Sequence, residues 1–369
     1  MFKKIFNYFR PVPESIPYIN VLLVYKNMSP VRDSCSHVGL GVTAMNLCKN
    51  LLNSGIQVEV KSVFDGYELR DKFLPNSEYT HVVMLAPWVD TPFLQGLLRK
   101  FPLISFSVVY HSNVGFLQAD RYAVKLIREQ IELELSNHNF HVACNSLRLT
   151  NAIIDTFRRP AVCLPNMYFL EKEPTYPRVI QYGDTLKIGV FGAMRPQKNM
   201  LSAVWAGIQM STMLNAECEI SINAGRVEGG ESVLGAINEL VKDVDKVTLK
   251  NIGWVTWPRF REIVKHQHLL ISPSYTESFC NVTADGIAEG VPSVVTQAMP
   301  WAPKEWKADP DSVESIVRVG FDVMLNNKIR RKGYQKLVDH NIFAIKQWKE
   351  YLINTGVHKN KDHDGRDKY

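Results

Sequence analysis

The chain has 369 residues, of which 46% are apolar and 22% charged, with 19 Pro and 21 Gly. These proportions match a globular average, exclude wholesale disorder and fibrous or low-complexity chains, and suit two domains. Forty-three basic residues against 37 acidic ones leave a net charge of +6, which tolerates a polyanionic partner without demanding one.

The N-terminal stretch places Phe2, Ile5, Phe6 and Phe9 at helical spacing, with Lys3, Lys4 and Arg10 on the remaining face. Residues 1–18 are therefore expected to form an amphipathic arm, and residues 1–10 to offer weak membrane-surface contact or to pack on protein. The stretch lacks a continuous apolar core, and no run of 18 apolar residues follows, so neither a signal peptide nor a membrane span is expected. Cys35, Cys48, Cys144, Cys163, Cys218 and Cys280 are scattered without a C-x-x-C pair. Reduced thiols and a cytoplasmic location are expected.

Strands are predicted at Ile19–Tyr25, Gln57–Val63, His81–Ala86, Ser105–Tyr110 and His141–Cys144. Helices are predicted at Gly41–Ser54, with Leu47, Leu51 and Leu52 inward, at Pro92–Lys100, and at Val124–Leu135, with Val124, Ile127, Ile131 and Leu135 inward. Apolar strands separated by amphipathic helices imply a parallel sheet covered on both faces. Four prolines between Pro160 and Pro177 interrupt this pattern. The boundary falls there, giving an N-terminal domain over 19–170 and a C-terminal domain over 171–335. Alternation resumes with strands at Lys187–Phe191, Glu219–Asn223, Val247–Asn251, Leu269–Ser272 and Ser293–Thr296. Helices are predicted at Met200–Leu214, Ser232–Lys242, Pro258–His266, Asn281–Glu289, Ser312–Leu325 and Lys328–Tyr351. Residues 336–355 are expected to form a closing helix and 356–369 a disordered tail. The fold class is therefore α/β, two doubly wound Rossmann-like domains.

Gly39-Leu-Gly41-Val-Thr-Ala44 fits G-x-G-x-x-A, but residues 27–38 separate it from the strand, so the tight turn of a dinucleotide site is absent. It is expected to be a glycine-rich loop that starts a helix and turns free amides toward ligand oxygens. No Walker loop and no G-x-S-x-G elbow occur. Asp362-His363-Asp364 is expected to be solvated charge, and no metal is expected. The informative block runs from Ser272 to Val295. A strand ends, a polar loop carries Glu277, and a helix begins near Ser278–Asn281 with amides free for a phosphate. Asp285 lies inside that helix, and Gly290-Val-Pro turns into the next strand. Two carboxylates eight positions apart at a strand's carboxyl end suit the vicinal hydroxyls of a sugar or ribose.

This block resembles the family 4 type of glycosyltransferase, whose architecture is GT-B, and the segments Tyr110–Asp120 and Trp301–Trp306 resemble the branch of it found in bacterial and phage proteins. That family carries a Glu, seven residues and a second Glu before a Gly-Val-Pro turn; here the acids are Glu277 and Asp285, the latter one methylene shorter. The resemblance implies that Glu277 holds donor-sugar hydroxyls and Asp285 the ribose. Phe191-Gly-Ala-Met-Arg195-Pro-Gln-Lys198 resembles the segment that grips the diphosphate, with Ala193 at the usual arginine position and Arg195 expected to substitute. Leu164-Pro-Asn166 resembles the pair leading into the second domain. Asn251-Ile-Gly253 resembles the loop beside the base, Tyr110-His111 the donor-side histidine, and Gly39–Gly41 the loop near the phosphate. Ser278, Phe279, Cys280 and Asn281 complete the implied donor site.

The resemblance thus implies transfer of a sugar from a nucleotide diphosphate, UDP most of all, to an acceptor hydroxyl with retention and without a cofactor. Glu277 and His111 are the expected catalytic residues. The acceptor is left between a hydroxymethylated pyrimidine in phage DNA and a lipid-linked glycan or lipopolysaccharide. Arg121, Lys125 and Arg128 permit the first, and the N-terminal arm the second. A protein that binds sugar nucleotides without turnover remains the alternative from another class.

Overall fold

The structure, a computed structural model, describes residues 18–27, 36–118, 120–176, 179–181, 183–225 and 228–356. The N-terminal arm, Cys35 and the Asp362–Asp364 segment lie outside them. In chain order the N-terminal elements are β1 (Asn20–Lys26), α1 (Ser36–Asn53), β2 (Gln57–Val63), α2 (Gly66–Glu68), β3 (His81–Leu85) and α3 (Thr91–Lys100). There follow β4 (Ser105–Tyr110), α4 (Val114–Leu117), α5 (Arg121–Ser136), β5 (Phe140–Cys144), α6 (Leu147–Phe157) and β6 (Val162–Cys163). The C-terminal elements are β7 (Leu186–Val190), α7 (Met200–Leu214), β8 (Cys218–Ile222), α8 (Glu231–Val241), β9 (Val247–Asn251) and α9 (Trp257–Lys265). After these come β10 (Leu269–Ile271), α10 (Asn281–Ala288), β11 (Ser293–Val294), α11 (Val313–Leu325) and α12 (Asn327–Thr355).

The strands form two parallel sheets, ordered β2-β1-β3-β4-β5-β6 and β11-β10-β7-β8-β9. Their apolar composition follows from burial on both faces: all residues of β3 and β4 are buried. Leu22, Val82 and Phe106 pack toward one set of helices, and Leu23, Val83 and Val109 toward the other. In each sheet the chain reverses its direction of travel once, between β1 and β3 and between β7 and β10. Doubly wound sheets bind ligands at the carboxyl ends beside such reversals. The loops there are 191–199 after β7 and 272–280 after β10, the segments that carry Arg195, Lys198 and Glu277.

Helix α12 runs back across both domains. Leu337 belongs to the C-terminal core, while Trp348, Tyr351 and Leu352 pack beneath β1, β3 and β4. Asn341 fixes the crossing by accepting from the Tyr168 amide at 3.0 Å and donating to its carbonyl at 2.7 Å. Trp348 Nε1 donates to Pro165 O at 2.9 Å. Among the described residues no helix is long and apolar enough to cross a membrane.

Three helical expectations need correction. Helix α1 begins at Ser36, so Gly39 and Gly41 lie inside it rather than in a loop before it. A Cβ on Gly41 would stand 3.3 Å from the Tyr25 ring, which gives that glycine a packing role against β1. Val124 and Leu135 of α5 are exposed, and Leu126, Ile127, Gln130, Ile131 and Leu133 form the buried stripe. The inward face is thus turned to include a polar residue, because Gln130 Oε1 accepts from the buried Tyr110 hydroxyl at 2.7 Å. Leu52 of α1 is likewise exposed.

Candidate functional site

A cleft of about 300 Å³ separates the carboxyl ends of the two sheets. Its C-terminal wall is ionic. Lys198, in the turn after β7, forms an ion pair with Glu277, in the loop after β10. Burial works against the Lys198 charge, but the Glu277 carboxylate outweighs it and raises the ammonium above its usual range. Glu277 is 7% exposed, and a buried carboxylate without a cation would be strongly unfavourable. Arg195 is paired with Glu228; burial lowers its pKa, yet a guanidinium stays charged. Phe116, from the opposite domain, stacks over both cations, 5.4 Å from Arg195 Cζ and 5.9 Å from Lys198 Nζ.

Helix α10 opens on Cys280, whose φ of +69° turns the chain sharply into the helix. No side chain caps it, so its first amides are open toward an anion. Burial raises the Cys280 thiol, which is therefore no ready nucleophile. The helix ends at Gly290, with φ +76° and room for no Cβ: one would stand 2.5 Å from Thr175 O. Asp285 is 2% exposed, and its Oδ1 accepts from Tyr168 Oη at 2.6 Å and Trp257 Nε1 at 2.8 Å. Burial nevertheless pushes its carboxyl up to about 6. The shorter side chain is thus held by protein donors on one oxygen, a commitment its spacing from Glu277 did not foretell.

The N-terminal wall is neutral. His111 follows β4, and burial lowers its pKa to about 4, so the ring is uncharged near neutrality. Asn113 Nδ2 donates to Glu277 O at 2.7 Å, and Asn145 Nδ2 donates to Ser278 Oγ at 3.1 Å. Ser278 Oγ in turn donates to His111 O at 3.0 Å. The domains meet closely: a Cβ on Gly115 would stand 2.8 Å from the Thr276 side chain. Asn281 Nδ2 reaches Gly39 O and Thr43 Oγ1, both at 3.3 Å, so α1 also faces the cleft.

The structure therefore brings Gly39, His111, Arg195, Lys198, Glu277, Ser278, Phe279, Cys280, Asn281 and Asp285 to one cleft. Gly41 and Gly253 stand outside the lining. Gly253 holds a turn at φ +64°, its amide bound to Asn251 Oδ1 at 3.0 Å, and the next residues, Trp254 and Val255, line the cleft instead. Phe279 is stacked on Trp301 at 5.3 Å, which steadies the start of α10. Among the described residues no group of three or more His, Cys, Asp or Glu is placed to hold a metal ion.

No family profile and no curated sequence matches the chain. Its shape does match solved structures. A trehalose-6-phosphate synthase, OtsA, superposes with a TM-score of 0.64 at 11% identity, over 91% of this chain and 98% of that one. The chain has the GT-B fold. An Anabaena protein, Alr3699/HepE, in complex with UDP and glucose, matches at TM-score 0.57 and 13% identity over 90% and 97% of the two chains. The E. coli trehalose-6-phosphate structure bound with UDP-2-fluoro glucose matches at 0.58 and 9%, over 92% and 99%. In this GT-B chain, sequence patterns missed Phe116, Asn113, Asn145, Glu228, Tyr168 and Trp257. Asn113 and Asn145 lie just beyond the ends of β4 and β5, where ligand-facing residues of such sheets cluster; the others depend on contacts distant in the chain.

Proposed function

We propose that this protein transfers a glycosyl group from a UDP-sugar to an acceptor hydroxyl with retention of configuration. The observation that carries the reading is the Lys198–Glu277 pair at the carboxyl ends of β7 and β10, beside the uncapped start of α10. A diphosphate fits the cations and the helix amides, and a sugar ring beside it meets Glu277. The UDP named with two of the structural neighbours supports this choice of donor. Trp254 and Trp257 offer flat surfaces for the base, and Asp285 is the group for the ribose.

In the reaction the anomeric C–O bond to the diphosphate breaks as a bond to the acceptor oxygen forms on the same face. The acceptor proton passes to the departing diphosphate oxygen. Negative charge collects on the diphosphate, where Lys198, Arg195 and the α10 amides stabilise it; donors placed in this way contribute roughly 3–4 kcal/mol each. Glu277 orients the sugar, and neutral His111 donates a hydrogen bond near the anomeric region.

For the acceptor, the exposed Arg121, Lys125 and Arg128 on α5 support a hydroxymethylated pyrimidine in DNA. A lipid-linked glycan is the competing acceptor. Salt-sensitive gel retardation of modified duplex DNA, against flotation with liposomes, separates them. The donor is tested by thermal shift with UDP-, GDP- and ADP-sugars, followed by product detection. A UDP-sugar stabilising the protein, with product lost in Glu277→Ala, is the expected result; equal indifference to all three donors overturns the reading. Tight donor binding without hydrolysis or transfer would instead support a sugar-nucleotide-binding protein, the reading that the replacement of Glu by the buried Asp285 favours.

A further inference from the structure

The hydrogen bonds around His111 specify where its proton sits. Ser278 carries one hydroxyl hydrogen, and its Oγ lies 3.0 Å from His111 O, which can only accept. That hydrogen is therefore spent, and at its other contact, 3.1 Å from Asn145, Ser278 must accept. Asn145 consequently presents its amide nitrogen to this corner. The same nitrogen lies 3.2 Å from His111 Nδ1, and an amide nitrogen only donates. Nδ1 is thus left as a lone pair, and the ring of neutral His111 carries its proton on Nε2. Among the described residues Nε2 is buried without a partner, and His111 lines the cleft.

Turning the Asn145 amide over would be worse. As placed, it leaves one buried acceptor, Asn145 Oδ1, without a partner. Reversed, it would strand two N–H donors in that position and leave the one hydrogen of Ser278 to serve both His111 O and the Asn145 oxygen; orphaned buried donors are the rarer and costlier defect.

We infer that Asn145 is a positioning residue: it holds His111 as the Nε2–H tautomer, and it does so only while Ser278 of the opposite domain orients its amide. The proton arrangement on the N-terminal wall is then a consequence of apposing the two domains. With Ser278 withdrawn, the amide loses the hydroxyl that fixes its orientation and its buried corner opens to water, so Nδ1 is free to meet either an N–H or a carbonyl. Closure of the cleft thereby creates a directed donor for a sugar oxygen, a use that rests on the function proposed above.

The tautomer is measured directly, without any substrate. Full-length protein carrying 15N-histidine is observed at pH 7.5, with the His111 signals assigned by their loss in His111→Gln. The expected result is an unprotonated, pyridine-like Nδ1 and a protonated Nε2. Protonated Nδ1 in the wild-type protein overturns the inference outright. Asn145→Asp, which presents only acceptors, is expected to move the proton to Nδ1, and Ser278→Ala to produce both tautomers. A Ser278→Ala protein that keeps Nε2–H alone overturns the dependence on the opposite domain. In titrations, Asn145→Asp is expected to bind UDP within about twofold of wild type but the UDP-sugar about tenfold more weakly, the scale of one neutral hydrogen bond. Equal weakening of both ligands contradicts a role confined to the sugar. If wild-type protein binds no sugar nucleotide, the proposed function fails while the tautomer assignment stands on the spectra.

Discussion

On the C-terminal wall of the cleft the charged groups already hold partners: Lys198 holds Glu277, and Arg195 holds Glu228. Across from them His111 offers a neutral ring whose Nε2 has no partner among the described residues. The contrast follows from the cost of burial. An unpaired ion in a half-buried crevice is prohibitive, so cations have to be assembled with counter-ions before any ligand arrives. A neutral N–H left unpaired costs only about 1–3 kcal/mol and can be kept waiting. Anion binding on the first wall is thus an exchange of partners, whereas binding on the second is a simple gain of one hydrogen bond.

Glu277→Gln breaks that contrast most severely. Transfer is expected to fall by roughly 10²–10³-fold, while UDP affinity is retained because the diphosphate takes the place of Glu277 as the partner of Lys198; product formation and titration calorimetry report the two effects separately. Lys198→Met removes the cation. UDP affinity should drop about 10–100-fold, the range of one charge-assisted hydrogen bond, with uridine unaffected. Equal losses for UDP and uridine would show that the diphosphate does not lie there.

Asp285 sharpens the comparison through pH. Its folded-state carboxyl sits near 6, above the value of about 3.9 for an exposed Asp. The native state therefore binds the extra proton between those values, and stability contributed by the protonated form is lost as pH rises through about 6. Asp285→Asn keeps an oxygen for Tyr168 and Trp257 yet has nothing to ionise. Denaturant melts should show the variant about 1–3 kcal/mol more stable than wild type at pH 8 and indistinguishable near pH 4. A constant difference across that range would refute the burial argument. The smallest effect belongs to Phe116→Leu, which removes the ring shared by Arg195 and Lys198. A loss of about 0.5–1 kcal/mol in UDP affinity, a few-fold in Kd, is expected by titration.

Most of the alternation of strands and helices was legible because buried parallel strands are unbroken apolar runs; β4 and β9 fall on their predicted limits. The Glu277 block was legible because strand end, ligand loop, helix start and turn occupy consecutive residues. Failures came where position depends on something distant. Gly39 and Gly41 look like loop residues until Tyr25 of β1 is seen against Gly41. The ties of Asp285 to Tyr168 and Trp257 could not be read in advance, because both partners are far from it in sequence. Asn145 carried no motif at all; its partners, His111 and Ser278, lie on separate segments of the chain.

A crystal structure of the protein with a non-hydrolysable UDP-sugar tests the central claim most directly. The account predicts the diphosphate within hydrogen-bonding distance of Lys198 Nζ and the first amides of α10, with Glu277 turned from Lys198 to the sugar hydroxyls. A nucleotide seated elsewhere, or a Lys198–Glu277 pair left intact beneath it, would contradict the account.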